Sequence, residues 1–270
     1  MGPDSEAVLA GATIGIVGLG GGGSHIAQQA GHIGIGSFVL VDPDHIDLGN
    51  THRLVGGTLA DVKRQEAKTA IAARTIRGVN PSARIIEART PWHDAVEELK
   101  QCDVIIGAID TFREREQLER FARRYLIPYI DVGMDVHEVG SDGFLVSGQV
   151  ILSTPGNPCL RCCGLITDER LAQEAGKYGA AGGRPQVIWP NAVLASTAVG
   201  LLMQMLTPWH RKLSAFAYHV YDGNKGTLVP SQRGAAVQWR ACPHHPADET
   251  GDPLFDIRRH LARRSPVVRQ

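Results

Sequence analysis

GATIGIVGLGGGGSHIAQQ, residues 11–29, decides the fold. The apolar run at 13–17 (TIGIV) reads as a buried strand, the glycines after it as a turn, and 24–32 as a helix. A second apolar run, SFVLVD at 37–42, reads as another strand. Strand, glycine turn, helix, strand is the opening of a doubly wound parallel sheet. Gly18, Gly20 and Gly23 satisfy the G-x-G-x-x-G spacing, and Gly21 lies between them. Glycines at these places let the backbone approach phosphates, while the helix start supplies free N–H donors. Asp42 closes the second strand, where a carboxylate can accept ribose hydroxyl hydrogen bonds. The loop predicts a bound nucleotide, and ATP and a redox dinucleotide would both fit it.

Outward from this loop, a helix is expected over 59–77, stopped by Gly78 and Asn80-Pro81. A strand follows at 84–88, a short helix at 96–101, a strand at 103–108, a helix at 112–125 and a strand at 129–133. The rhythm then changes. Residues 136–153 and 215–230 alternate apolar with small or polar side chains around SDG and DGNKG turns, as antiparallel hairpins do. Between them lie a Gly-rich connection, 164–190, and an apolar helix, 192–206, read as buried core. The expected fold class is α/β: a Rossmann-like doubly wound sheet whose parallel first half is extended by antiparallel strands into one mixed sheet. No repeat or linker divides 1–270, so a single domain is expected. It has a nucleotide-binding half at about 12–135, a partner-binding half at about 136–250 and a basic surface tail at 251–270.

Composition narrows the function classes. Acidic and basic residues balance at 28 each, which gives no electrostatic case for a nucleic-acid or membrane-surface partner. No apolar run approaches the roughly 20 residues that span a bilayer. The start, MGPDSEAVLA, lacks the basic residues and long apolar stretch of a secretory signal. A soluble cytoplasmic protein is expected. The five cysteines, three of them packed into CLRCC at 159–163, suit metal ligation better than an extracellular disulfide framework.

Charged residues after the glycine loop separate the two nucleotide classes. A redox enzyme needs little cationic machinery near the phosphates, whereas loss of pyrophosphate needs a good deal. Arg53 lies in the loop after the second strand, Lys68 on the next helix, and Asp110 just beyond the fourth strand. All three fall at the end of the sheet where such folds bind ligands. Taken singly, an Arg or Lys is usually only solvated; the combination carries the signal.

With these residues in place, the chain resembles the ThiF/MoeB/HesA family, prokaryotic relatives of ubiquitin-activating enzymes. VGLGGGGSH at 17–25 is similar to the family's glycine loop. VDPDHIDLGNTHR at 41–53 resembles its D-x-D followed by S-N-L-x-R, giving Asp42, Asp44, Asn50 and Arg53. Lys68, twelve residues before Asn80-Pro81, is in register with the family lysine. GAIDTFRERE at 107–116 resembles the segment that carries a magnesium-associated aspartate, here Asp110, with Arg115 on the helix after it. The resemblance runs from Gly18 to about Cys242. It implies adenylation: ATP with Mg2+, an α-phosphate presented to the C-terminal carboxylate of a small ubiquitin-like or sulfur-carrier protein ending in Gly-Gly, and release of pyrophosphate. Arg53 and Lys68 would neutralise the phosphates, Asn50 help to orient them, Asp42 hold the ribose and Asp110 position Mg2+. A homodimer is the usual assembly. Two departures stand out. Leu54 follows Arg53 where the family has Gln, and residues 1–12 contain no arginine. Family members often begin with an R-Y-x-R-Q helix whose arginine reaches the neighbouring subunit's ATP.

Cys159 and Cys162 form a C-x-x-C pair, and Cys242 and His245 a C-x-x-H pair. Four such ligands suffice for a closed tetrahedral Zn2+ site, a clip between distant loops. His244 could stand in for His245, and Cys163 for Cys162. The resemblance supports the clip, since many family members carry C-x-x-C pairs at both places. The crossover connection, 164–190, contains no cysteine to take over the activated carboxyl. Cys163 is the only nearby candidate, and Cys102 begins a buried strand. The expected enzyme therefore hands its adenylate onward, as MoeB-like enzymes do. Two other classes compete: a NAD-dependent oxidoreductase, which leaves the Arg53, Lys68 and Asp110 pattern unexplained, and a degenerate scaffold that binds a ubiquitin-like partner without turnover. Within the family a short peptide or a tRNA base could be the acceptor, and balanced charge gives the tRNA version little support.

Overall fold

Gly18 ends the first strand with φ at +85°, and a Cβ there would lie 2.4 Å from the carbonyl oxygen of Ala108. That close approach is between the ends of two neighbouring strands of the sheet, Thr13–Val17 (β1) and, three strands later in sequence, Val104–Gly107. Between them come Ser37–Val41 (β2) and Arg84–Ala88 (β3), so Val104–Gly107 is β4. Tyr129–Glu138 (β5), Phe144–Ser153 (β6), Ala217–Asp222 (β7) and Thr227–Pro230 (β8) complete the set. The order is β3-β2-β1-β4-β5-β6-β7-β8 in one sheet. β3 to β5 run parallel and β5 to β8 antiparallel, which is the mixed sheet expected from sequence. The direction of winding reverses between β1 and β4, and their carboxyl ends open the crevice where doubly wound folds bind ligands. This is a computed structural model, and it describes residues 4–140, 143–176, 187–210, 215–238, 241–246 and 249–251. The basic tail after 251, residues 141–142 of the SDG turn and 177–186 of the crossover connection lie outside the described residues.

Nine helices are described: Ser5–Gly11 (α1), Gly21–His32 (α2), Leu59–Arg64 (α3), Lys68–Val79 (α4), Val96–Leu99 (α5), Phe112–Arg124 (α6), Asp168–Gly176 (α7), Ile188–Leu206 (α8) and Gln232–Val237 (α9). One apolar core lies under α2, α4 and α8, with Ile14, Ile26, Phe38, Ile76 and Leu202 buried in it. A second core, on the other face, gathers Val39, Leu118, Tyr129, Leu160 and Cys163. Among the described residues only α8 is long and apolar enough to cross a membrane by length and composition. Half of its apolar window is buried, and it packs on α2, β5 and β6 as a core helix. Pro190 sits in its first turn, where a missing N–H costs nothing.

The expected single helix over 59–77 is two helices. Gln65 closes α3 in the left-handed region at φ +50°, and Ala67 bridges to His45. The backbones of Ile46 and Lys68 donate to the carbonyls of Glu66 and Asp44 at 2.9 and 3.0 Å. Tertiary pairing thus outcompetes a locally helical sequence, and Lys68 becomes the first residue of α4. The crossover connection likewise contains α7, and β5 runs unbroken through the expected gap at 134–135.

Asp61 fastens the loop ahead of α3. Its carboxylate accepts from the Thr58 backbone at 2.9 Å, the Thr58 hydroxyl at 2.7 Å and both terminal nitrogens of Arg74 at 2.8 Å. Arg74 also donates to the Gly56 carbonyl at 2.8 Å. Hydrogen bonds from Arg74 hold the Asp61 carboxyl far below the ordinary carboxylate range. The stability this contributes is complete above the ordinary value near 4 and is lost as pH falls below it toward the folded pKa. Asp61→Asn should therefore cost about 2 kcal/mol at neutral pH. Urea titrations at pH 7 and at about pH 3 should show the gap to wild type narrowing with acid; a constant gap would mean that the charge is not what matters.

Candidate functional site

The glycine loop leaves the start of α2 bare. Gly20 is its N-cap and offers no side-chain cap, and among the described residues no side chain is bonded to the first N–H groups. A Cβ at Gly20 would meet nothing within 4 Å, whereas one at Gly23 would lie 1.8 Å from the Gly18 carbonyl oxygen. Gly23 is thus required for the turn itself, and Gly20 faces open space, as a phosphate cradle does. A Cβ at Gly21 would lie 2.5 Å from the amide nitrogen of Asn191, a buried residue of α8 that donates to the Val187 carbonyl at 2.9 Å. Sequence reasoning missed Asn191, since its place beside the loop depends wholly on the packing of α8.

Asp42 and Asp44 divide their work. Asp42 is 4 % exposed; one oxygen accepts the Leu19 N–H at 2.6 Å and the other the Asp44 N–H at 2.8 Å. It ties the glycine loop to β2. Burial pushes its carboxyl up, against the pull of Lys68 and these two N–H groups. Asp44 is the outward-facing carboxylate, and Lys68 Nζ lies 2.7 Å from it and 3.8 Å from Asp42. The Lys68 side chain is only 11 % exposed, so its ammonium is aimed along this edge of the sheet and not into bulk water.

Arg53 stands in a braced loop. Asn50 is buried, and its amide oxygen accepts the Asp47 N–H at 3.2 Å in a reciprocal cap of the 3-10 turn Leu48–Asn50. Leu54, the departure from the family pair, is buried with Ile46 and Ile71 in a small core of its own. The Ser24 hydroxyl, on α2, accepts the Val55 N–H at 3.0 Å and donates to the Gly21 carbonyl at 3.1 Å. Loop and glycine turn are therefore one unit. Within it Arg53 gives Nη1 to the Gly49 carbonyl at 2.9 Å, while its buried Nε has no hydrogen-bond partner among the described residues. A buried guanidinium donor left unpaired is costly unless a ligand takes it up.

Asp110 is exposed between β4 and α6, on the same edge of the sheet. Below it, Arg115 and Asp131 form a buried ion pair with two hydrogen bonds, one of 2.9 Å from Nε, and the Tyr129 hydroxyl donates to Asp131 at 3.2 Å. The α6 face that carries Arg115 continues with Glu119 and Arg123, both buried. Arg123 donates to the carbonyls of Thr154, Asn157 and Pro158 at 3.0, 2.6 and 3.1 Å. Glu119 accepts the Leu160 N–H at 3.0 Å and the Ser153 hydroxyl at 2.5 Å. At a spacing of four residues along this charged helix, Arg115 pairs with β5, and Glu119 and Arg123 hold the loop that leads into the cysteine knuckle.

That knuckle gathers Cys159, Cys162, Cys242 and His244, with donor atoms all within 4.8 Å of one another. Sγ–Sγ distances are 3.6 Å for Cys159–Cys162 and 3.7 Å for Cys162–Cys242. Ligands at zinc–sulfur bond lengths around a tetrahedron stand about 3.8 Å apart, so the set fits Zn2+. The fourth donor beside the three thiols is His244, the alternative to His245 that the sequence left open. His244 Nδ1 lies 3.3, 3.4 and 4.0 Å from Cys159, Cys162 and Cys242, whereas His245 turns inward to Glu119 at 3.8 Å. His245 also lies within 4.8 Å of the Cys159 sulfur, in a second group with Glu119. Cys163 is fully buried, and burial pushes its thiol up to about 12. Cys102 is likewise pushed up to about 12 by burial. Burial of this kind favours the neutral thiol over the thiolate.

Comparison with known proteins agrees with this architecture. A SAMP-activating enzyme E1 from Haloferax volcanii is 29 % identical over 164 residues, covering 60 % of this chain and 57 % of that one. A sulfur carrier protein adenylyltransferase from Thermus thermophilus is 31 % identical over 117 residues, covering 43 % and 42 %. The chain spans about half the length of these curated relatives. The fold is similar to that of E. coli MccB solved with ATP, with a TM-score of 0.70 at 17 % identity over 92 % of this chain and 69 % of that one. The ThiF family profile matches residues 1–241, from before the glycine loop to the brink of the second ligand pair, and the chain belongs to the ThiF family.

Proposed function

We propose that this chain is an ATP-dependent adenylyltransferase that activates the C-terminal carboxylate of a small ubiquitin-like or sulfur-carrier protein. The observation that carries the reading is the unpartnered, buried Nε of Arg53, in a loop bonded to an uncapped glycine turn. Phosphates at the start of α2 would take up both sets of donors. Lys68 would exchange its contact with Asp44 for phosphate oxygens, Asp44 would face the ribose, and Asp42 would keep the loop in place. Asn50 would hold Arg53 in register. Asp110 would hold Mg2+, which supplies charge neutralisation on the phosphates when bound.

The carboxylate of the partner is already ionised at neutral pH, so no general base is needed. One of its oxygens bonds to the α-phosphorus as the bond to the bridging oxygen breaks. That electron pair leaves with pyrophosphate, and an acyl-adenylate remains. The residues of this chain contribute alignment and charge stabilisation. We read the partner as ending in Gly-Gly, the assembly as a homodimer and the setting as the cytoplasm, where cysteines without disulfides are at home. The balanced charge gives a tRNA acceptor little support.

The test is ATP–pyrophosphate exchange with Mg2+ and small proteins ending in Gly-Gly, with Asp110→Ala as control. Exchange that needs both the partner's free C-terminus and Asp110 supports the reading. Partner binding and ATP binding without exchange would replace it with a degenerate scaffold.

Structural Zn2+ belongs to the same proposal, held by Cys159, Cys162, Cys242 and His244. Elemental analysis should find about one zinc per chain. His244→Ala should lower zinc content severalfold and thermal stability with it, while His245→Ala should keep its zinc. Equal zinc loss in both variants would sink the assignment of the fourth ligand.

A further inference from the structure

The start of α6, two residues past Asp110, is capped from a distant part of the chain. A helix leaves its first N–H groups without partners of its own. In α6 the Thr111 hydroxyl takes the Glu114 N–H at 3.3 Å, and Arg115 bonds back to the Thr111 carbonyl at 3.1 Å. The other two, Phe112 and Arg113, donate to the two carboxylate oxygens of Glu174 at 2.8 and 3.0 Å. Glu174 lies on α7, in the crossover connection. That helix has no buried residue of its own, so apolar packing alone does not hold it. It is fastened to α6 by this carboxylate, by the Arg170 guanidinium over the Phe112 ring at 5.5 Å and by Asp168 through Arg161 at 2.9 Å. The start of α6 is thus already filled by an anion, while the start of α2 is bare.

We propose that Glu174 is a positioning residue for the nucleotide site. It clasps the first turn of α6, fixes the segment that carries Asp110, and docks the crossover helix at the cation-binding corner. The role given to Asp110 rests on the adenylation reading; the clasp itself does not. A carboxylate seated here also makes the potential around Asp110 more negative, which favours a divalent cation.

The test compares the full chain with Glu174→Ala and Glu174→Gln. Hydrogen exchange at Phe112 and Arg113 should speed up by roughly tenfold in the alanine variant and by less in the glutamine variant, whose amide oxygen still accepts one bond. ATP binding, followed by calorimetry across a Mg2+ series, should need about fivefold more Mg2+ for half-maximal affinity in Glu174→Ala. The glutamine variant should be intermediate, and thermal stability should hardly move, because α7 covers little core. Unchanged exchange at the two amides would show that the clasp does not form. Faster exchange with an unchanged Mg2+ requirement would make it a mere tether. Either result overturns the proposal, as would failure of the wild type to bind ATP at all. ATP binding with a normal Glu174 effect, but without pyrophosphate exchange, would overturn only the adenylation reading.

Discussion

Arg53→Ala should lower ATP–pyrophosphate exchange by about 10²–10³-fold, the usual cost of removing one preorganised donor to developing charge. It should do so with almost no loss of stability. The loop around Arg53 is braced without it: Asn50 and Asp47 cap one another, Leu54 packs on Ile71, and Val55 donates to Ser24. The guanidinium itself is half-satisfied, with Nη1 on the Gly49 carbonyl and Nε unpaired. Deleting it removes a buried orphan donor, which offsets the lost contact. Arg53→Lys should recover little, because an ammonium cannot present the same planar fork to a phosphate. Thermal melts beside exchange rates, with ATP affinity from calorimetry, separate the two effects. A destabilised variant, or one with exchange within threefold of wild type, would show that Arg53 serves the loop and not the phosphates.

The legible parts of this chain are those written in local pattern. TIGIV, SFVLV and VIIG are apolar runs too short for helices and bounded by turns, and they are the buried central strands β1, β2 and β4. The glycine spacing located the turn, and the D-x-D pair located the carboxylates beside it. What the sequence hides is whatever tertiary contact decides. The break at Gln65 comes from pairing between His45 and Ala67, twenty-two positions apart, and no Gly or Pro marks it. Arg115, Glu119 and Arg123 look like the polar face of a surface helix, yet they are buried because β5 and the 154–160 loop supply partners at matching heights. Their spacing of four, with alternating sign, is a signal that could have been noticed. Cys242-Pro-His-His offers two histidines, and only the folded path shows that His244 Nδ1 is the one beside all three thiols. The same logic explains Leu54: a family contact that reads as missing is a packing residue over Ile71.

The ion pair beneath Asp110 should produce the largest stability effect in the molecule. Asp131→Ala is expected to cost about 3–5 kcal/mol, because it strands the guanidinium of Arg115 in a site that is 4 % exposed. It would also leave the Tyr129 hydroxyl, which donates to Asp131, without an acceptor. The melting temperature should fall by roughly 6–15 °C for a chain of this size. The backbone packs closely around the pair. Gly133 lies so close that a Cβ on it would stand 2.7 Å from Arg115 Nη2, and Gly107 would meet the Tyr129 hydroxyl at 2.2 Å. A side chain at either glycine would collide with the guanidinium or with the Tyr129 hydroxyl. The pair itself is a different matter, since replacing both partners removes the uncompensated charge. Arg115→Met with Asp131→Leu should therefore be less destabilised than Asp131→Ala alone, although Tyr129 still lacks its acceptor. Urea denaturation of the two single variants and the double gives the coupling energy directly. If the double variant is as stable as Asp131→Ala or less so, shape at this corner outweighs charge. If it recovers most of the loss while exchange stays low, the pair is kept for the placement of α6 and Asp110 above it, and stability is only its by-product.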